Sequence, residues 1–140
     1  MASRLVTTRL SPSRLAAGAI AMLWLLAMNL AGAVPQGTAA GDAKRGGELY
    51  SGRCGACHSI ESNGAGPQHK GLFGRKAASQ SGFAYSPALK GSGLVWNRKL
   101  LDRWVANPTA LVPGNKMVVQ LANDPRDRAD ILAYLETATR

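Results

Sequence analysis

The segment RCGACHSIES, Arg53 to Ser62, holds both cysteines of the chain and one of its two histidines. Three chemistries use two thiols three residues apart with an imidazole directly after them. One is a redox dithiol, but such pairs sit in βαβ patterns, and no strand signal precedes this one. The second is zinc, which takes four protein ligands in a structural site. Beyond Cys54, Cys57 and His58 only His69 remains to supply a histidine or cysteine ligand. The third is covalent attachment of haem, for which C-x-x-C-H is the signature. A structural disulfide explains the pair poorly, because the loop it would close is too small to restrict the unfolded chain much.

Working outward, the residues on either side bear on that choice. Asp42 can cap a helix from Ala43 to about Arg53, with Leu49 and Tyr50 on one face. Gly46 and Gly47 inside it lower its intrinsic stability by about 1 kcal/mol each relative to alanine, which points to a backbone passing close by. From Ser59 to Val95 periodicity almost vanishes in favour of Gly, Ser, Pro and Lys. One helical turn is expected over Ser86–Lys90, ended by Gly91. So long an irregular stretch is uncommon in a compact domain unless it wraps something that is not polypeptide. Helical spacing returns with Leu100, Leu101, Trp104 and Val105 and stops at Asn107-Pro108. "LVPGNKM" then reads as a turn. Asp124-Pro125 offers an N-cap and a proline at the first helical position. The last helix is expected to run to about Thr137, burying Ile131, Leu132, Tyr134 and Leu135. Three main helices and a thin apolar inventory leave room for a large apolar cofactor in the core.

The N-terminal region differs in kind. No acidic residue precedes Asp42, and Arg4, Arg9 and Arg14 lead into an apolar run from Leu15 to Ala33. Residues 1–33 read as an export signal ending at Ala31-Gly32-Ala33, with a second cleavage site after Ala40. The 19-residue apolar run is also near the lower limit for a membrane anchor, and the acid-free, Arg- and Ser-rich start has transit-peptide character. Residues 34–41 read as a linker and 42–140 as the folded domain. The whole chain carries a net charge of +9; from Val34 onward fourteen basic residues face eight acidic ones. That balance suits an encounter with acidic partners. Neither an arginine-rich run nor zinc-finger spacing points to nucleic acid.

With haem as the reading of Cys54, Cys57 and His58, His58 becomes the first axial ligand of the iron. The second has two candidates. Met117 is the only methionine after Met28, and it lies about sixty residues beyond His58, a separation that suits the opposite face. His69 lies only eleven residues beyond His58, in the same loop.

"GDAKRGGELYSGRCGACH", "GPQHKGLFGR", "GFAYSPALKGSGLVW", "NPTALVPGNKM" and "RADILAYL" occur here in an order that resembles the class I cytochromes c, in particular the mitochondrial cytochrome c and bacterial cytochrome c2 group. The resemblance spans Gly41 to Arg140. It implies an all-α fold, three main helices and long loops wrapped around one covalent haem c. It implies thioether bonds from Cys54 and Cys57, axial ligation by His58 and Met117, and a Pro67 carbonyl that orients His58. Arg75, Tyr85 and Trp96 would lie near the haem propionates, Trp104 near the methionine sulfur, and Asn115 and Lys116 beside Met117. Gly46 and Tyr50 would meet Ile131 and Tyr134 where the first and last helices cross.

The chain departs from the family pattern in four places. Trp104 replaces a tyrosine, and Val119 replaces an aromatic residue. The loop from His58 to Pro67 is shorter than in the mitochondrial proteins. Thr109, Ala110, Gln120 and Leu121 stand in the region where the family carries lysines around the methionine loop. Arg53, Lys70, Lys76, Lys99 and Lys116 remain as a depleted basic face. The resemblance implies a monomeric electron carrier, not an enzyme, and the export signal points to a bacterial periplasmic protein. Its partners would be redox proteins such as a dehydrogenase, a cytochrome bc1-type complex or a terminal oxidase. The alternative is a haem subunit or anchored module of a larger periplasmic oxidoreductase.

Overall fold

In a computed structural model, which describes residues 40–140, Asp42 opens the first helix as expected. Its side chain accepts from the amides of Lys44 and Arg45 at 2.9 and 3.1 Å, satisfying two of the donors a helix start leaves free. Helix α1 runs Ala43–Arg53, α2 Pro87–Gly91, α3 Arg98–Ala106, α4 Pro108–Leu111 and α5 Pro125–Ala138. The expected export segment and the linker up to residue 39 lie outside the described residues. Among the described residues no helix is long and apolar enough to cross a membrane. They form no strand, only an isolated antiparallel bridge between Lys76 and Val95.

The principal helix pair is α1 on α5, with α3 also packed on α5. Gly46 makes the first crossing tight. A Cβ there would stand 1.9 Å from the Asp130 carbonyl oxygen and 3.0 Å from Tyr134 Cβ. One turn on, Tyr50 and Tyr134 bring their ring centroids to 5.3 Å. The expected crossing is therefore present, with the Asp130 backbone as the atom Gly46 meets. Polar contacts clamp the same interface. Arg45 pairs with both Asp127 and Asp130, Arg53 bonds Asp127 at 2.7 Å, and the Asp42 amide donates to Asp130 at 2.7 Å.

Two expectations need correction. Asp124 does stand at the N-cap of α5, but its side chain makes no capping bond; it is drawn to Arg53 at 3.1 Å instead. Asn107-Pro108 ends one helix as expected but also starts another, ahead of the turn at LVPGNKM. Pro108–Leu111 forms α4, because Asn107 both ends α3 and caps the next helix by accepting from the Ala110 amide at 2.9 Å. Pro108 at the first position of α4 needs no amide hydrogen there.

Around these helices the core gathers Leu72, Leu89, Trp96, Leu101, Trp104, Val105, Val112, Leu121, Ile131, Leu132 and Leu135. Several of these side chains come from the irregular segments. The loops are tied down by hydrogen bonds rather than by periodic structure. Among the described residues no buried side-chain polar atom lacks a partner.

Candidate haem site

Helix α1 ends at Arg53, and the chain then turns sharply through the cysteine pair. The amides of Cys54 and Gly55 both donate to the Tyr50 carbonyl at 2.8 and 2.9 Å, and those of Cys57 and His58 to the Cys54 carbonyl at 3.1 and 2.9 Å. One turn thus carries both thiols and the imidazole. The cysteines form no disulfide; Cys54 is partly buried and Cys57 exposed. Burial pushes the Cys54 thiol up to about 11, with Cys57 adding to the shift and Arg53 opposing it.

The Pro67 carbonyl stands 2.8 Å from Nδ1 of His58. A carbonyl only accepts, so Nδ1 carries the proton and Nε2 keeps a free lone pair. Burial lowers the pKa of the ring, against the opposing effect of the Pro67 bond. Gly66, buried beside it, passes so close that a Cβ would fall 2.3 Å from His58 Cε1. The Gly66 amide donates to the Cys57 carbonyl at 2.7 Å, closing the loop over the imidazole.

Met117 lines the same apolar cleft as Cys54, Cys57 and His58, along with Leu72, Leu89, Leu101, Trp104, Val105, Ile131 and Leu132. Asn115 fixes the methionine loop from two sides. Its Nδ2 donates to the Val112 carbonyl at 2.8 Å, and its Oδ1 accepts from the Met117 amide at 2.7 Å. Trp96 and Trp104 are buried with ring centroids 5.4 Å apart. Arg75, Tyr85, Trp96 and Asn115 also line the cleft. Arg75 also holds the loop before it, donating to the carbonyls of Gln68 at 3.0 Å and Lys70 at 2.6 Å and to Gln80 Oε1 at 2.8 Å. All ten expected site residues therefore border one cleft.

His69 lies face to face with His58, ring centroids 4.4 Å apart and planes 23° from parallel. A ring stacked on His58 cannot stand across an iron from it. Its Nδ1 is engaged by the Tyr50 hydroxyl at 3.1 Å. Burial, with smaller contributions from His58 and Arg75, pushes the His69 imidazole down to about 3, so it is neutral at pH 7. The contacts of Gly66 and Gln80 had no counterpart in the sequence reading. A glycine in a glycine-rich loop and a glutamine among serines carry no pattern that names their neighbours.

The cytochrome c family model matches residues 43–139. This chain belongs to the cytochrome c family. It is 41% identical over 103 residues to a cytochrome c from Cochliobolus lunatus, covering 71% of this chain and 95% of that one. It is 43% identical over 102 residues to a cytochrome c2 from Rhodomicrobium vannielii, covering 71% and 81%. Among solved structures, cytochrome cH from Methylobacterium extorquens superposes with a TM-score of 0.66 at 47% identity, over 69% of this chain and 99% of that one. As a cytochrome c, the protein is an electron-transfer protein rather than an enzyme, and it carries one covalently attached haem c. The residues present fit that group: two thiols on one turn, an imidazole with a free Nε2, a thioether in the same cleft, and an apolar lining.

Proposed function

We propose that the protein is a periplasmic one-electron carrier in which Cys54 and Cys57 hold the haem and His58 and Met117 are the axial ligands. The observation that carries this reading is the shared cleft. His58, its Nδ1 held by Pro67, borders it, and Met117 borders it on a loop fixed by Asn115. Haem c, when bound, supplies the one-electron couple of its iron. His58, made more basic by its bond to Pro67, favours the oxidised state. Met117 favours the reduced state and raises the potential. Arg75 and Tyr85 are suited to meeting the propionates, and Trp104, without the hydroxyl of a tyrosine, stands as the neighbour of the methionine sulfur.

The export segment supports a periplasmic location, with residues 1–33 removed and 34–41 left as a linker. The partners are redox proteins such as a dehydrogenase, a cytochrome bc1-type complex or a terminal oxidase. A subunit of a larger periplasmic oxidoreductase is the second reading, favoured by one observation. Of the five expected docking cations, Arg53 is engaged by Asp124 and Asp127, and Lys70 by Glu61 at 2.7 Å. This thins the charge available for a long-range, salt-sensitive encounter.

The test is a redox titration of the matured protein followed through its visible spectrum. A clearly positive midpoint with a c-type spectrum is expected. A low midpoint removes Met117 as ligand. Size exclusion of native extract separates the two readings, since a carrier elutes alone and a subunit elutes with its enzyme.

A further inference from the structure

A hydrogen bond from Nδ1 to the Pro67 carbonyl fixes where one edge of the His58 ring points. It restrains the ring at that edge alone. What packs against the ring holds the rest: Gly66 passes close to Cε1 and both nitrogens, and His69 is stacked on the ring at 4.4 Å. The His69 ring is itself held. Tyr50 bonds its Nδ1 at 3.1 Å, and the Tyr50 ring meets it edge-on at 5.7 Å. The His69 amide donates to the Ser59 carbonyl at 3.0 Å, and the next amide, of Lys70, to Ile60 at 2.8 Å. On either side of His69, the carbonyls of Gln68 and Lys70 are both bound by Arg75. This is more restraint than filling a core position requires.

We propose that His69 is a positioning residue that sets the rotation of the His58 imidazole plane, acting through ring-on-ring contact from a mount built by Tyr50, Ser59 and Arg75. The inference rests on the reading of His58 as the axial ligand. Its chemical consequence is specific. The plane of an axial imidazole determines how its π orbital overlaps the iron orbitals, so it governs the unpaired spin density that each edge of the porphyrin receives in the oxidised state.

The experiment compares the haem-methyl resonances of the ferric holoprotein in wild type, His69→Leu and His69→Phe. Both variants lose the bond to Tyr50, and only phenylalanine restores a planar ring. The expected result is an altered order and spread of the methyl resonances in His69→Leu and a return to the wild-type pattern in His69→Phe. A wild-type pattern in His69→Leu overturns the inference, as does a His69→Phe spectrum displaced in the same way as that of His69→Leu. If His69→Leu does not mature, His69→Met, also without a ring, takes its place. The hyperfine-shifted ring protons of His58 in wild type keep the two levels apart. Their absence removes the ligand assignment and this inference with it. Their presence beside an unchanged His69→Leu spectrum removes this inference alone.

Discussion

At position 66 a methyl group would stand 2.3 Å from His58 Cε1 and 2.6 Å from both ring nitrogens. Real side chains do not approach so closely, so Gly66→Ala must displace the imidazole or the loop that carries Pro67. Overpacking of this kind destabilises by about 1–3 kcal/mol. Gly66→Ala is expected to do so in denaturant unfolding of the holoprotein and to reduce the yield of matured protein. Asn115→Ala tests the other side of the cleft. It removes two hydrogen bonds, each contributing about 1 kcal/mol, and frees the Met117 backbone. The far-red charge-transfer band of a methionine-ligated ferric haem is expected to weaken, as read by absorption. At this scale the sequence singled out the candidate groups for chemistry, because thiols, imidazoles and a lone methionine are rare. It did not disclose their neighbours. Gly66, and His69 as a stacking partner rather than a rival ligand, became visible only when the loop was folded.

The helices were largely legible from their caps, and the misreadings have the same source. Asn107-Pro108 reads as a stop, although an asparagine followed by proline is also a start; one side chain serves both α3 and α4. Asp124 reads as a cap by its position, but a nearby arginine competes for its carboxylate. The buried carboxylates of α5 carry no sequence signal, because charged residues read as surface. Asp130 is 3% exposed. Burial alone would raise its pKa, but the Asp42 amide and Arg45, helped by Arg126, outweigh that and hold it below the ordinary value. Asp127 faces the same guanidinium. A depressed carboxyl contributes stability that is complete above the unfolded-state pKa of about 3.9 and lost as pH falls through the folded value. Asp130→Asn is therefore expected to flatten the decline of stability below about pH 5, followed by denaturant titration at successive pH values. Gly46→Ala, which drives a methyl onto the Asp130 carbonyl, is expected to part α1 from α5 and lower stability by about 1–3 kcal/mol in the same assay.

For the molecule as a whole, the thin apolar inventory and the long aperiodic stretch both find their reason in the cleft. Residues from α1, α3, α5 and the loops between them line a shared space. Cys54→Ala/Cys57→Ala, which removes the covalent attachment, is expected to lose much of its helical circular dichroism and to unfold with low cooperativity. A sharp, wild-type-like transition in that variant would show that the polypeptide core suffices by itself. The clasp between α1 and α5 also has a temporal meaning. It joins residues 88 positions apart, Asp42 to Asp130, so the first of the described helices must wait for the last before it finds its partner. Until then the turn bearing Cys54, Cys57 and His58 hangs beyond an unsupported helix, open to whatever machinery attaches the cofactor. Because the first and last described helices close the domain on each other, a variant that cannot dock α5 is expected to leave that turn uncovered.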